Sequence, residues 1–364
     1  MENKGLLIVV IVLIAAVGAA GVYYYLTEPG WFEGPAGEDG DDGDDGVDGT
    51  NFDSIPYVYY CDTRAEIDRA VTAIGTGKGE IIITAAISLT SEIDLNGGGI
   101  YTIKGLGAGS LFPQGDVNAI EISDAVSCLI TDLRIDMSDS ASNPVYGILV
   151  DDANNNPVTI ENVQIVGDRE ANRRGIGIFT DNVIVSGCYI EGMETGIHGS
   201  GNDFCSFENN IIKNMTDRGI RINGERNTAV GNVIGYCVVG LDIASWFHNS
   251  ITGNIIFNFT NFGIWVWGSD SNTITGNSVD HDDSLNSGSH IYGLIMNMGS
   301  DYNVVDGNTI CDVYTDYGSY VGYGIYVAAS NTYNMISHNN ILDCETGISL
   351  NDGTCIQIDN VVNP

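Results

Sequence analysis

The feature that most constrains this chain is a short Asn-rich phrase that recurs at a nearly constant spacing. It reads NTAVGNVI from Asn227, NSITGNII from Asn249, NTITGNSV from Asn272 and NVVDGNTI from Asn303. With its apolar positions as a template, related segments recur roughly every 22 to 31 residues from position 101 to the end of the sequence. Internal repetition with a period of this size predicts a solenoid, in which each repeat forms one coil.

The residue types inside the repeat indicate which kind of solenoid is formed. Alternating β-branched residues with abundant Gly and Asn exclude helical repeats, and the dense Leu pattern of leucine-rich repeats is absent. We therefore predict an all-β, single-stranded parallel β-helix of about eleven coils. One Asn per coil would form a ladder at a corner, because Asn tolerates left-handed backbone and stacked amides can hydrogen-bond about 4.8 Å apart. The predicted ladder residues are Asn210, Asn232, Asn254, Asn277, Asn308 and Asn340.

This pattern resembles the right-handed pectin-lyase-like superfamily, which includes many surface proteins built from parallel β-helix repeats. The resemblance covers residues 80–364, and residues 52–79 would form the cap of the first coil. A helix is expected there, with a capping box at Thr63 and Glu66 and a stop at Gly75. No comparable plug follows the last repeat, so its exposed edge is expected to be covered by self-association or another subunit.

The first 51 residues carry two further patterns. Residues 5–26 contain no charge and could span a bilayer, so we predict a transmembrane signal-anchor at 1–27, with the bulk of the chain extracellular. A cleaved signal peptide is the alternative. In the linker at 28–51, Gly occupies every third position from Gly34 to Gly49, as in a collagen triple helix, which would make the protein a trimer. A flexible acidic linker is the alternative.

The charge balance narrows the partners. The formal net charge is −35, with 13 Lys and Arg against 48 Asp and Glu. Such a surface repels nucleic acid and anionic lipid headgroups, so we expect no nucleic-acid partner. Neutral glycans, cationic surfaces and Ca²⁺ fit it better. The eight cysteines suit an oxidising compartment, and Cys311 and Cys344, on adjacent repeats, are candidates for a disulfide.

A second recurring phrase, Gly followed by an aliphatic residue, identifies an outward-facing row. The residue after each aliphatic must face solvent by strand alternation. Along the predicted helix axis this row is Leu149, Phe179, His198, Arg221, Asp242, Trp265, Ile295, Tyr326 and Ser349. An imidazole, a guanidinium and a carboxylate thus fall on consecutive coils, which makes His198, Arg221 and Asp242 candidate catalytic residues. A mixed row of this kind can also arise by chance.

Loop lengths favour the same face. Long loops before Gly147, Gly177, Gly293 and Gly324 flank several short turns, which predicts a trough with walls at both ends. Its floor is expected to include Glu194, Asp217, Arg218, Tyr236, Phe257 and Phe262. Aromatic rings stack on sugars, so the candidate carbohydrate-binding residues are Phe179, Trp265, Tyr326, Tyr236 and Phe257.

One wall of the predicted trough contains an acidic loop. Asp280, Asp282 and Asp283 are candidate Ca²⁺ ligands, and a solvated acidic loop is the alternative. No other cofactor is expected. Sequons at Asn214 and Asn258 lie on the short turns, where glycans would obstruct the trough.

Two short motifs resemble those of polygalacturonase-type glycosidases in the same superfamily. Ile197-His198-Gly199 is similar to their Gly-His-Gly, and Arg221-Ile222-Asn223 is similar to their Arg-Ile-Lys. The resemblance implies glycoside hydrolysis, but the paired carboxylates required for inverting cleavage are missing from the expected face. The pairing of Arg221 with Asp242 is only a partial match to a pectate-type lyase.

We therefore predict a membrane-anchored extracellular β-helix that serves as an interaction or adhesion module and binds polysaccharide or glycoprotein glycans along one face. A polysaccharide lyase or glycoside hydrolase is the alternative. An architectural cell-surface filament or sheath component is the second alternative.

Overall fold

A computed structural model describes residues 57–139, 143–151, 154–281, 288–315 and 320–363. These residues form one helix, α1 (Arg64–Ile74), and three parallel sheets that we name A, B and C. Within this part of the chain, no helix is both long and apolar enough to cross a membrane. The predicted anchor and the Gly-repeat linker lie outside the described residues.

The sheets contain 13, 12 and 11 strands, respectively. Sheet A comprises β1 (Tyr57–Cys61), β2 (Lys78–Ile83), β5 (Ile100–Gly105), β8 (Ser127–Thr131), β11 (Val158–Glu161), β14 (Val183–Ser186), β17 (Ser206–Glu208), β20 (Thr228–Val230), β23 (Ser250–Thr252), β26 (Thr273–Thr275), β29 (Val304–Asp306), β32 (Met335–Ser337) and β35 (Ile356–Ile358). Sheet B comprises β3 (Ala86–Leu89), β6 (Ser110–Pro113), β9 (Arg134–Asp136), β12 (Gln164–Val166), β15 (Tyr189–Glu191), β18 (Ile211–Lys213), β21 (Val233–Gly235), β24 (Ile255–Phe257), β27 (Ser278–Asp280), β30 (Thr309–Cys311), β33 (Asn340–Leu342) and β36 (Val361–Asn363). Sheet C comprises β4 (Ile93–Leu95), β7 (Ile120–Ile122), β10 (Val145–Val150), β13 (Arg173–Ile178), β16 (Thr195–Gly199), β19 (Arg218–Ile222), β22 (Val239–Ala244), β25 (Phe262–Trp267), β28 (Ile291–Asn297), β31 (Gly322–Val327) and β34 (Thr346–Leu350).

The chain visits sheets A, B and C in turn, and each strand pairs with the equivalent strand of the next coil. Alternate residues therefore form aliphatic columns inside the solenoid. In sheet C, for example, Ile176, Ile197, Ile220 and Leu241 are backbone partners in series and are fully buried. These columns form one continuous core. The predicted all-β parallel β-helix is confirmed.

A buried Asn ladder lies where the chain passes from sheet A to sheet B, a turn that we name the A–B corner. The Asn254 Nδ2 donates to Asn277 Oδ1 at 2.9 Å, and Asn254 Oδ1 accepts from the backbone N of Asn232 at 3.0 Å. The same bonds link Asn210, Asn232, Asn254, Asn277, Asn308, Asn339 and Asn360. The prediction of Asn340 is therefore wrong by one residue, because Asn339 faces inward and Asn340 begins β33.

A second ladder lies where the chain passes from sheet C to sheet A, the C–A corner. Its members are linked in the same way and are Asn227, Asn249, Asn272, Asn303 and Asn334. The recurring phrase thus has ladder residues at its first and sixth positions, with a sheet A strand between them. The left-handed residue is the one before each ladder Asn, such as Gly253 with φ of 65°, and the ladder Asn itself faces inward.

Helix α1 closes the solenoid at its first strands. Thr63 and Glu66 form the predicted capping box, and Gly75 ends the helix with φ of 49°. Ile67, Ala70 and Ile74 are buried in the core. At the other end, the interior residues Ile348 and Leu350 of β34 are only half-buried. The predicted domain boundaries and self-association remain predictions.

All eight cysteines lie among the described residues, and all are free thiols. The proposed bond between Cys311 and Cys344 is not formed. Cys344 is buried in the core. Cys311 directly follows the buried Ile310 on β30, so strand alternation places its side chain on the outer face. The two thiols therefore occupy opposite sides of the backbone.

Candidate functional site

Most of the predicted row lies on the outer face of sheet C, as predicted. His198 is the backbone partner of Arg221, Arg221 of Asp242, and Asp242 of Trp265. The row continues through Ile295, Tyr326 and Ser349. The candidate catalytic residues are thus brought onto consecutive coils as the sequence predicts.

Phe179 is misplaced by two residues in the predicted row. Leu149 pairs with Gly177, and Gly177 pairs with His198, so Gly177 occupies the position assigned to Phe179. Phe179 follows the end of β13, and its ring centroid still lies 5.9 Å from that of His198. It therefore borders the candidate site without belonging to the row.

A second outward row, formed by the residue that precedes each recurring Gly, was missed by the sequence analysis as a continuous feature. A side chain at this Gly would point into the core, since a Cβ on Gly196 would lie only 2.6 Å from the Ile212 side chain. The preceding residue consequently faces outward beside the first row. The row comprises Tyr146, Arg174, Thr195, Arg218, Val239, Phe262, Tyr292, Tyr323 and Thr346.

The two rows together place three guanidinium groups on one face. We name Arg174, Arg218 and Arg221 the arginine cluster. Arg218 Nε donates to Asp242 Oδ2 at 2.7 Å, and Arg221 Nε lies 3.7 Å from the same oxygen. Asp242 is only 2% exposed, which makes it the buried counter-ion of the cluster.

Arg174 is held by a separate pair of groups. Its Nη1 donates to the Tyr146 hydroxyl at 2.8 Å, and its Nη2 lies 3.3 Å from Glu194 Oε1. These contacts fix the guanidinium beside the Tyr146 ring, whose centroid lies 5.6 Å away. The Tyr146 ring is also 6.5 Å from the imidazole of His198.

Burial and the arginine cluster together set the protonation state of His198. Burial, followed by the positive charges of Arg174, Arg221 and Arg218, lowers the pKa of His198 to about 3. Burial raises the pKa of the Asp242 carboxyl, while Arg218 and Arg221 act in the opposite direction. At neutral pH the imidazole is therefore uncharged and can accept a hydrogen bond or a proton.

An aromatic surface continues from the arginine cluster along the next coils. We name Phe262, Trp265, Tyr292, Tyr323 and Tyr326 the aromatic bank. Phe262 and Tyr292 stack at 5.6 Å, and Tyr292 and Tyr323 stack at 5.2 Å. Trp265 lies 4.9 Å from Phe262, and Tyr326 lies 5.0 Å from Tyr323. The structure thus brings the predicted Trp265 and Tyr326 together on one surface.

Tyr236 and Phe257 form a separate aromatic pair. Phe257 is on sheet B, and its ring lies 5.5 Å from that of Tyr236. Tyr236 lines a small cleft along the turns that lead from sheet B to sheet C, as do the sequon residues Asn214 and Asn258. These two rings are not part of the aromatic bank.

The loops leading into sheet C have the predicted pattern of lengths. Loops 137–144, 167–172, 281–290 and 312–321 are longer than the turns 192–194, 214–217, 236–238 and 258–261. Parts of the longest loops lie outside the described residues.

The predicted calcium ligands are only partly described, since Asp282 and Asp283 lie outside the described residues. Asp280 instead approaches Cys311 and Asp312, with one ligand atom from each residue within 4.8 Å of the others. Burial and the neighbouring carboxylates raise the pKa of Cys311 to about 12. A protonated thiol is a poor ligand for Ca²⁺, which prefers oxygen.

Comparison with known proteins agrees with this architecture. A family model described as a right handed beta helix region matches residues 118–279. A search of curated proteins found no match. The described part of the chain is a right-handed parallel β-helix.

Several solved structures share the fold. The A-module of mannuronan C-5 epimerase AlgE4 from Azotobacter vinelandii has a TM-score of 0.61 and 18% identity, over 82% of this chain and 91% of that chain. The corresponding AlgE6 module has a TM-score of 0.59 and 15% identity, over 83% and 94%. A mutant tailspike of E. coli bacteriophage HK620 in complex with pentasaccharide has a TM-score of 0.58 and 12% identity, over 82% and 60%. At these identities, the likeness establishes the fold.

Proposed function

We propose that the outer face of sheet C binds an acidic polysaccharide and that the protein is a glycan-binding module. The observation that carries the proposal is the arginine cluster. A chain with net charge −35 and only 13 Lys and Arg collects Arg174, Arg218 and Arg221 on one face. Guanidinium groups bind carboxylates through paired, charge-assisted hydrogen bonds, so sugar carboxylates fit this surface.

The aromatic bank supplies the second half of such a site. Its rings lie on β25, β28 and β31, immediately after the strands that carry Arg218, Arg221 and Asp242. A polysaccharide running along the helix axis would place carboxylates over the arginines and the apolar faces of its sugars against the rings. The neighbours named for mannuronan epimerisation and for a bound pentasaccharide agree with a saccharide ligand.

Binding measurements on the full chain test this proposal. Calorimetry with a polyuronate and with a neutral glucan, each with and without Ca²⁺, should show stronger binding of the polyuronate. Arg174→Gln or Arg221→Gln should weaken it about tenfold, as expected for the loss of one charge-assisted contact. Arg134→Gln is the matched control, because Arg134 is a half-exposed arginine on sheet B. Equal losses in all three variants would refute a local site.

An enzyme that removes the proton next to a sugar carboxylate is the second candidate. Two observations favour it: His198 is neutral, and the Tyr146 hydroxyl accepts a hydrogen bond from a guanidinium. Arginine would neutralise the carboxylate, neutral His198 would take the proton from the adjacent carbon, and the Tyr146 hydroxyl would supply a proton in return. Expulsion of the neighbouring glycosidic oxygen would give a lyase, and return of a proton to the other face would give an epimerase. Hydrolysis fits less well, because Asp242 is already paired with Arg218.

Product analysis separates the binder from the enzyme. An incubated polyuronate would gain unsaturated ends, seen by ultraviolet absorbance, or inverted sugars, seen by NMR. In the enzyme, Tyr146→Phe and His198→Gln should remove turnover but retain polymer binding. A protein that binds the polymer and leaves it chemically unchanged is a binding module.

We also infer that residues 5–26 anchor the protein in the membrane, with the β-helix outside the cell. The uncharged length of this segment supports the inference. Protease treatment of intact cells should digest the β-helix and leave a membrane-bound fragment. A β-helix that is released into the medium would contradict anchoring. Sedimentation of the full chain would show whether the Gly-repeat linker makes it a trimer, or whether its last coils join end to end as in an architectural filament.

A further inference from the structure

The C–A corner has an unusual choice of residues at its left-handed position. On consecutive coils this position is occupied by Phe204, Arg226, His248, Ser271, Tyr302 and Tyr333, with φ between 55° and 63°. The equivalent position of the A–B corner is occupied by Asn209, Gly231, Gly253, Gly276, Gly307 and His338. In both corners the next residue is a ladder Asn, except after Phe204, where Cys205 donates its backbone N–H to the first ladder residue, Asn227. The two corners therefore make the same turn.

Left-handed backbone is favourable for Gly and Asn and unfavourable for bulky residues. The A–B corner follows this preference on all but one of these coils, whereas the C–A corner carries large side chains on all but one. Nothing in the turn itself requires them, because Gly makes the same turn a few residues away. Bulky residues that occupy an unfavourable backbone conformation on coil after coil indicate that their side chains are needed at this corner.

The side chains at the C–A corner are exposed and ordered into a line. Phe204, Tyr302 and Tyr333 are 55%, 58% and 55% exposed. The rings of Tyr302 and Tyr333 stack at 5.1 Å, and the Arg226 guanidinium lies 5.3 Å from the centre of the Phe204 ring. Between them, the Phe247 ring lies 5.6 Å from His248. We name this line the aromatic ridge.

Carboxylates border the aromatic ridge. Asp203, Glu225, Asp270 and Asp301 each directly precede a left-handed residue. Asp203 Oδ1 accepts from the backbone N of Glu225 at 2.7 Å, and Asp270 Oδ1 accepts from the backbone N of Asp301 at 2.8 Å. These bonds fix the carboxylates of Asp203 and Asp270 along the corner and leave further oxygen lone pairs as acceptors.

We propose that the aromatic ridge is a second glycan-binding site and that it takes a neutral polysaccharide. Rings match the apolar C–H faces of sugars, and fixed carboxylate oxygens accept hydrogen bonds from sugar hydroxyls. The same carboxylates repel uronate or sulfate groups, so this site selects the opposite class of glycan from the arginine cluster. A ridge one side chain wide suits a linear polymer, whereas a stable protein interface needs roughly 800 Å² on each partner.

The full chain should be tested against neutral hexasaccharides of glucose, mannose, xylose and galactose, and against a polyuronate. The wild type is expected to bind at least one neutral hexasaccharide. Tyr302→Asn combined with Tyr333→Asn should weaken that binding by about tenfold or more and leave polyuronate binding unchanged. Tyr302→Phe, which retains the ring, should retain binding.

Ser271→Asn is the matched control, since it changes a left-handed residue of the same corner that has no ring. It should leave neutral-glycan binding unchanged. If neutral-glycan binding is retained in Arg221→Gln, the ridge proposal is supported, whatever the effect on polyuronate binding. The ridge proposal and the proposed sheet C site can therefore be refuted independently. The ridge proposal is overturned if no neutral hexasaccharide binds, if the double Tyr variant binds as well as the wild type, or if a Lys-rich peptide binds in preference to every sugar.

Discussion

The A–B and C–A corners make the same turn, but they differ in the type of residue at the left-handed position. Both place a left-handed residue before a buried ladder residue on successive coils. At the A–B corner the left-handed residue is mostly Gly or Asn, and at the C–A corner it is aromatic or charged on most coils. The ladder therefore specifies the coil, whereas the exposed residue beside it is free to serve recognition.

The same division separates the inside of sheet C from its outer face. Inward positions repeat apolar, mostly aliphatic side chains, since every coil must fill the same core. Outward positions change from imidazole to guanidinium to carboxylate to indole over four coils. Variation between otherwise identical coils therefore marks the surfaces on which function is expected.

The largest effect on stability is expected when a ladder residue is removed. Asn254→Ala deletes side-chain hydrogen bonds to Asn277 and Ala229. It also leaves the buried backbone N–H of Asn232 without its acceptor and the Asn232 side-chain amide with Phe207 O alone. Each buried polar group left unpaired costs about 1–3 kcal/mol, so we expect a loss of about 4 kcal/mol in unfolding free energy. Urea denaturation would measure it. Asn340→Ala is the control and should cost less than about 1 kcal/mol, because Asn340 is outside the ladder.

The errors of sequence interpretation have a common physical origin. Two adjacent Asn residues, Asn339 and Asn340, both fit the ladder position, and two overlapping Gly-Ile pairs, at Gly175 and Gly177, both fit the row. Periodicity alone does not choose between such neighbours, because a shift of one or two residues preserves most of the pattern. Hydrogen bonding between coils decides the register.

The fold was predictable because its constraint repeats on every coil, whereas the site is formed once. The adjacency of His198, Arg221 and Asp242 follows from the period. The presence of Arg174 and Tyr146 in the site does not follow from the period. It depends on the recurring Gly, whose backbone conformation leaves the preceding residue on the outer face. The sequence signal that would have found them is the residue before each recurring Gly.

A second test concerns the buried counter-ion on the outer face of sheet C. Asp242→Asn retains the side-chain shape but leaves Arg221 without its carboxylate partner and Arg218 with Asp217 alone. Removal of one member of a buried ion pair costs about 3–5 kcal/mol, and the partial exposure of both arginines reduces the expected loss to about 2–3 kcal/mol. Thermal denaturation would measure it. Asp136→Asn, in the half-exposed pair with Arg134, should change stability by less than about 1 kcal/mol. Equal effects would show that the cluster is an ordinary surface feature.

A third test uses pH. The pKa of His198 is lowered to about 3 in the folded state from an ordinary value of 6.5, so the unfolded chain binds a proton over this interval that the native protein does not. Stability should therefore fall as the pH decreases from about 6.5 to about 3, with a slope of at most about 1.4 kcal/mol per pH unit from this residue. His198→Gln should remove that contribution, as measured by urea denaturation at several pH values. Parallel pH dependence in the variant and the wild type would contradict the lowered pKa.

The smallest expected effect belongs to the aromatic ridge and is the most informative about its purpose. Tyr302→Asn relieves roughly 1 kcal/mol of left-handed strain. It also removes the stack with Tyr333, which contributes about 0.5–1.5 kcal/mol. The two terms nearly cancel, so the unfolding free energy should change by less than about 1 kcal/mol in urea denaturation. A loss above about 2 kcal/mol would show that the rings stabilise the corner, since only a structural role makes them costly to remove. A near-zero change, beside the large loss in Asn254→Ala, would show that the solenoid does not need these rings for stability, as expected if their exposed faces serve a ligand.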